Sequence, residues 1–373
     1  MTTLSERVRT RTNPLRGRWS RLPKPYRWSI LAAVVVLAYL LPMEWLVPYL
    51  GPLPTTETDW ASTLVVVAYY VILALGLNVV VGYAGLLDLG YVGFFAVGAY
   101  TVAVLTSPDS SLNAKWPVLA TIPVAIALTM LSGVLLGWPT LRLRGDYLAI
   151  VTLGFAEIIR VTATSSDFLR GQTGFTSVPH PPGKLSDGRP LFGVIDSKPY
   201  YWLGVTLIIV VILMVRNLDR SRVGRAWNAI REDEDAASAM GVPTFKFKLW
   251  AFAMGAAIGG LSGGFFAMYQ GFINSNSFLL FFSILVLAGV IMGGSGNIPG
   301  AILGGALIAY VPERLRGVKA PSWMGVQDLY EWRFFMFGVV LILIMIFRPA
   351  GIIPSRRKKM ELADRAKEVT VGE

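Results

Sequence analysis

Ten stretches of almost unbroken apolar sequence, each bounded by charge, proline or glycine, set the limits on what this chain can fold into. They fall near 28–46, 64–81, 86–105, 117–137, 147–163, 200–215, 249–269, 278–292, 300–312 and 334–347. Many approach the ~20 residues that a helix needs to cross a hydrocarbon layer. With 54% of its 373 residues hydrophobic and 15% charged, the chain lacks the polar surface to cover these runs in water, so a bilayer must serve as its solvent. The runs are continuous rather than alternating, and a helix satisfies all its backbone polar groups within one such segment, which selects helices over a transmembrane barrel. The expected fold is an all-α polytopic membrane protein with about ten transmembrane helices. The 300–312 run is short enough to be half of a broken or re-entrant helix.

Charge orients this bundle. The formal charge of +11 is placed between and outside the apolar runs: Arg7, Arg9, Arg11, Arg16, Arg18, Arg21, Lys24 and Arg27 precede the first, and Arg356, Arg357, Lys358 and Lys359 follow the last. Basic residues flanking spans mark the cytoplasmic side, so both termini are expected there, and the charge calls for no nucleic acid. Arg142 and Arg144 then fall inside, as does a dense basic loop at 216–248, while the first outer loop carries Glu57 and Asp59. The outer loops 171–199 and 313–333 fit less neatly, because Lys184, Arg189, Lys198, Arg314, Arg316 and Lys319 lie in them. The expected organisation is a basic arm at 1–27, a transmembrane domain at 28–354 containing the loop 216–248, and a polar tail at 355–373. The N-terminal segment has too long a basic region, and no small-residue cleavage pattern, to read as a cleaved signal.

Several features within the spans bear on function. The stretch 82–90, GYAGLLDLG, interrupts two apolar runs. It is either backbone unwound beside a watery path, or a tight turn in which Asp88 caps the next helix. Asn78 lies inside a span, as interhelical glue or as a pathway ligand. Glu157 sits about 15 Å along its helix, with Arg160 at i+3, giving either a structural ion pair or a polar element of a pore wall. Glycines 90, 93 and 98, and again 255, 259, 260, 263 and 264, let helix backbones approach closely. The loop segment 224–241 reads as a short amphipathic helix with Ala226, Ala229, Ile230, Ala237 and Met240 near one face. Gly241 ends it in a left-handed turn and Pro243 prevents resumption. It is either a docking element for a cytosolic partner or a solvated connector.

Some chemistries are excluded by composition. There is no cysteine, and no G-x-x-x-x-G-K-[ST] loop to cradle a nucleotide, so any ATP hydrolysis must reside on another chain. The single histidine, His180, lies among prolines in an outer loop without companions for a metal site. An ion-coupled secondary transporter using Asp88, Asp146 and Glu157 is the rival reading.

Four stretches resemble the LivM-type permeases of branched-chain amino-acid ABC importers, relatives of the LivH-type permeases. They are GLNVVVGYAGLLDLGYVGFFAVGAYTVAVL at 76–105, LRLRGDYLAIVTLGFAEIIRV at 141–161, GRAWNAIREDEDAASAMG at 224–241 and FRPAGIIP at 347–354, in matching order and spacing. The resemblance implies a multi-pass protein of the bacterial plasma (inner) membrane. It would work with a second, LivH-type permease, two cytosolic ATPase subunits and an extracytoplasmic substrate-binding protein. ATP and magnesium would be held by the ATPases, with no cofactor on this chain. By the same likeness 224–241 corresponds to the coupling helix that fits a groove on an ATPase, with Arg225, Arg231, Glu232, Asp233 and Gly241 on the family pattern and Ala226 and Ala236 as further coupling-helix candidates. The resemblance also puts the segment 82–90 beside the translocation path, which makes Asp88 and Tyr91 pathway candidates with Gly82, Tyr83 and Gly85; Asn78 and Glu157 join them from their places inside spans. The outer loop 164–199 carries no matching signature, and urea, short amides or other polar amino acids stay open as substrates.

Overall fold

A computed structural model of the chain describes residues 23–43, 45–50, 59–142, 146–184, 190–193, 196–316, 329–348 and 350–354. The basic arm before residue 23, Glu57, Arg144, Arg189, Lys319 and the tail at 355–373 lie outside these. The chain divides into two compact units, Met1–Pro52 and Leu53–Glu373. The first holds α1 (Lys24–Leu40), with proline in its first turn where a missing N–H costs nothing, and a 3-10 turn at Val47–Leu50.

The second unit is all helix among its described residues apart from isolated bridges. Its long helices are α2 (Trp60–Leu77), α3 (Tyr91–Thr106), α4 (Val118–Thr140), α5 (Asp146–Ser165) and α6 (Lys198–Arg220). Two short helices, α7 (Arg222–Glu232) and α8 (Glu234–Ala239), precede α9 (Thr244–Gln270), α10 (Leu280–Gly293), α11 (Ile298–Leu315) and α12 (Arg333–Phe347). Among the described residues, six helical stretches are long and apolar enough to cross a membrane: α2 with its continuation to Tyr83, α4, α5, α6, α9, and α10 with the turn before it. α3 and α12 are equally apolar but shorter. The short run at 300–312 lies within α11, which continues unbroken for 18 residues.

Burial separates an inner from an outer layer. The apolar windows of α9 and α2 are 89% and 78% buried, against 28% for each of α4, α5 and α6. α9 sits at the centre, packed on α2, α3 and α4, and α11 lies against α2. Its central place follows from composition. Gly255, Gly259, Gly260, Gly263 and Gly264 strip the side chains from a run of nearly three turns, so neighbouring backbones come within contact. The two glycine clusters read from the sequence meet one another. A methyl group on Gly98 would lie 2.3 Å from the Gly260 carbonyl oxygen, and one on Gly263 would lie 1.9 Å from that of Phe95. Ser262 adds a hydrogen bond from its hydroxyl to the Tyr69 carbonyl at 2.8 Å, tying α9 to α2.

At the end of the bundle where α2 begins, the connections are stitched together. Asp59 caps α2 by accepting from Ser62 N at 3.0 Å. Phe175 and Ile273 exchange both backbone hydrogen bonds, at 2.8 and 2.9 Å. His180 Nδ1 lies 2.5 Å from the Tyr200 hydroxyl and 3.0 Å from the Met268 carbonyl, so it is part of this seam. Asp109 accepts from the Thr176 hydroxyl at 2.8 Å and its backbone N–H at 3.0 Å, and these bonds, the hydroxyl's first, hold its carboxyl below the ordinary value. A depressed folded pKa means that the stabilisation is complete above the ordinary carboxylate range and is lost as pH falls through the folded value. The protection of the Thr176 amide, its exchange rate relative to the unstructured rate at the same pH, is therefore expected to fall on acidification below about pH 4 in the native chain. In Asp109→Asn that protection should already be reduced at neutral pH and should fall no further in acid; a native-like acid response in that variant would rule the link out.

Candidate functional site

The segment that breaks the spans is built in two parts. After Leu77 the backbone widens into a π-helical turn, Asn78–Tyr83, and then runs without helical bonding to Gly90, where α3 starts. π-turns inside helices recur where function demands an irregular backbone. Gly85 adopts φ +71°, a conformation open to glycine, and a methyl group there would lie 2.7 Å from Arg231 Cγ. The stretch is unwound, and it is fixed by side chains on either side. Asp88 does not cap α3. Its Oδ1 accepts from Gly90 N at 2.9 Å, closing a local turn, and α3 begins without a side-chain cap. Leu89 N donates to Thr152 of α5 at 3.1 Å.

Three of the sequence-derived pathway candidates converge with Arg231 of α7 at this break. Arg231 of α7 donates from its guanidinium to the carbonyl of Gly82. Asn78 Oδ1 accepts from Gly296 N at 2.8 Å, in the turn between α10 and α11. A methyl group on Gly82 would lie 2.1 Å from that Asn78 oxygen and 2.5 Å from Gly296 N. So Arg231, Gly82, Asn78 and Gly85 form one knot, with Gly296 as an uninvited fifth member. Asn78 and Asp88 are both fully buried, and among the described residues Asn78 Nδ2 and Asp88 Oδ2 have no hydrogen-bond partner within normal geometry.

The other candidates lie elsewhere. Tyr83 ends the π-turn and is buried. Tyr91 is wedged between α2 and α9: its hydroxyl donates to the Gly255 carbonyl at 2.7 Å and fills the space that a side chain on Gly76 would need. Glu157 stands apart on α5, its carboxylate accepting from Arg160 Nε at 2.9 Å and Nη2 at 2.5 Å, so the i+3 ion pair is formed.

The loop 216–248 holds two helices where one was expected. Ser221 caps α7, and Asp233, in extended conformation, ends it and caps α8 by accepting from Ala236 N at 2.9 Å. Gly241 is left-handed at φ +83°, and a new helix, α9, starts one residue after Pro243. The apolar face of α7 turns inward. Ala226, Trp227 and Ile230 are buried, and the Trp227 indole donates to the Phe247 carbonyl at 2.7 Å. Arg225, Glu232, Asp233, Ala236 and Gly241 face outward with Met240, which is 86% exposed. Buried Lys248 pairs with Glu234, fastening α8 to α9. Trp227 was absent from the apolar face read off the sequence, though its i+3 spacing to Ile230 was signal enough.

The residues near the end of the described chain complete the knot. Ile352 N donates to the Met292 carbonyl at 2.8 Å, Ile353 N to the Gly293 carbonyl at 2.9 Å, and Asn297 Nδ2 to the Ile353 carbonyl at 3.0 Å. The α10–α11 turn is thus held by the chain's FRPAGIIP segment on one side and by Asn78 on the other.

A bundle of membrane-length helices, a span broken at its core and a short amphipathic helix bonded to the break define a polytopic helical permease. The chain belongs to the family of branched-chain amino acid transport system permease components, whose model matches residues 60–345. It is 39% identical over 311 residues to the high-affinity branched-chain amino acid transport system permease protein LivM of Salmonella typhimurium, covering 79% of this chain and 69% of that protein. Its identity to the Escherichia coli protein of the same name is also 39%, over 80% of this chain and 70% of the relative. An autoinducer 2 import system permease protein, LsrC of Yersinia pseudotuberculosis, is 26% identical over 68% of each chain. No solved structure matches.

Proposed function

We propose that this chain is a pore-forming permease subunit of an ATP-driven importer for branched-chain amino acids in the bacterial plasma membrane. The ten apolar runs and their flanking charges favour about ten crossings with both termini cytoplasmic, which puts α7 and α8 in the cytosol. The partners are a second permease of LivH type forming a heterodimer, two cytosolic ATPase subunits that hold ATP and magnesium, and an extracytoplasmic binding protein that delivers substrate. The chain itself performs no hydrolysis. The relatives named for branched-chain amino acids, at 39% identity, favour that cargo over the autoinducer named for the 26% relative.

The observation that carries the mechanism is the bond from Arg231 to the Gly82 carbonyl. It joins a helix with an outward polar face to an irregular turn inside a span. An ATPase gripping Arg225, Glu232, Asp233, Ala236 and Gly241 would pull on Gly82 and Asn78 through that bond, and the break at 82–90 would shift between two arrangements beside the path. Asp88 and Tyr91 then act as positioning residues of the break, and Glu157 contributes a charged pair on the outward face of α5.

Proteoliposomes holding this permease with its ATPases and binding protein test the reading. Radiolabelled leucine is expected to accumulate only with ATP, and excess urea or glutamine should leave that uptake unchanged. Uptake by this chain alone on an ion gradient, or ATP-driven uptake of urea but not leucine, would defeat it.

A further inference from the structure

Of the membrane-length stretches, α4, α5 and α6 each leave most of their apolar windows uncovered by the rest of the chain, but the three faces differ in chemistry. α4 carries no charged residue, and those of α6 sit at its ends, at 198, 216, 219 and 220, so hydrocarbon suffices to cover both. α5 carries Glu157 just past its midpoint and Arg160 one turn on. The two are bonded to each other, yet their side chains remain 45% and 27% exposed on the outside of the bundle. Charged groups at that depth face protein or a watery cavity, because lipid tails offer nothing to complete their hydrogen bonding. The Glu157 carboxylate accepts from Arg160 Nε and Nη2 and keeps lone pairs for further donors.

The residues beside this pair form a seam. Tyr147, Val151, Ile158 and Val161 are exposed, and with Gly154 they recur at alternate spacings of four and three, the period of a left-handed helix pair. Gly154 stands at the centre of the seam. A methyl group there would meet nothing within 4 Å, so the approach to the backbone is open, and glycine at such a point lets a neighbouring helix come close. Glu157 precedes Ile158 on the flank of the seam, the position from which charged side chains bond across to a partner helix and fix its register.

We propose that this face of α5 is the surface on which the second permease of the importer docks. A helix of that subunit lies along the seam with its backbone close to Gly154, and it presents a hydrogen-bond donor to Glu157. The partner thereby takes the charged pair out of contact with lipid, which α4 and α6 do not require. The inference rests on the importer reading above and names the surface through which its two permeases meet.

Membranes in which the full chain is co-expressed with the LivH-type permease test this. A benzophenone side chain placed at Ile158 is expected to become joined to the second permease on irradiation, and the same probe at Leu131, on the exposed face of α4, to no protein. Joining from Ile158 to a second copy of this chain, to the chain's own α1 or to lipid alone would overturn the assignment. Gly154→Trp supplies an independent arm. It should lower retention of the second permease on purification by about tenfold or more, while thermal unfolding of the chain alone in detergent stays at the native temperature. Native retention by that variant would also overturn the assignment, and if the variant melts low, the Ile158 probe decides. If the unaltered chain retains no second permease, the importer reading has failed and this docking surface with it. If the second permease is retained but the Ile158 probe reaches only lipid, the docking surface alone has failed.

Discussion

Gly263→Ala is expected to prevent normal assembly of the bundle. The new methyl would lie 1.9 Å from the Phe95 carbonyl oxygen, 2.9 Å from the carbonyl carbon and 3.0 Å from Ala99 N, all of them backbone atoms of α3 that no rotamer change can move aside. Relief requires α3 and α9 to part, and α9 has the most buried apolar window of the six membrane-length stretches. Overpacking costs about 1–3 kcal/mol where side chains can yield, and more where they cannot. Gly98→Ala pushes on the same crossing from the other helix, 2.3 Å from the Gly260 oxygen, and should behave alike. Gly154→Ala is the control, because its methyl would meet nothing within 4 Å. Thermal unfolding in detergent should place the first two variants well below the native chain and leave the third level with it. Equal melting of all three would show that the crossing is looser than described.

The second large effect concerns transport rather than folding. Removing Arg231 takes away a charged hydrogen bond, a type that contributes about 1.5–3 kcal/mol, and with it the bonded route from α7 to the π-turn. Under the proposed importer mechanism, Arg231→Ala is therefore expected to leave ATP hydrolysis by the partner subunits running while leucine uptake falls by roughly 10- to 150-fold. Trp227 and the Lys248–Glu234 pair keep α7 and α8 in place, so the variant should still assemble. Glu232→Ala, on the outward face, should spare the bond to Gly82, and under the same mechanism adding it to Arg231→Ala should weaken docking of the proposed ATPase as well. Wild-type uptake in Arg231→Ala would remove this route from the mechanism.

The parts of this fold legible in the sequence are those governed by neighbours along the chain. Apolar runs announced the helices, the glycines at 255–264 announced a crowded crossing, and the i+3 spacing of Glu157 and Arg160 announced their ion pair. Gly241 announced its left-handed turn. What stayed hidden depends on partners far away in the sequence. Arg231 finds Gly82 across 149 positions and Asn78 finds Gly296 across 218, and no local period encodes either meeting. Amphipathicity marked α7 as having an apolar face but not which body would cover that face. The bundle itself claims it through Trp227, so a partner is left with the charged side and Met240. The π-turn was foreshadowed only as a break, because widening by one residue per turn leaves no mark in hydropathy.

The bonds made by Ile352 and Ile353 place a condition on biogenesis. Those residues leave the ribosome after every helix that they touch, so the glycine turn between α10 and α11 has bare backbone groups throughout the insertion of the bundle. Its closure waits until Ile352 and Ile353 have emerged, and a polypeptide stalled before them would reach the lipid with this latch still open.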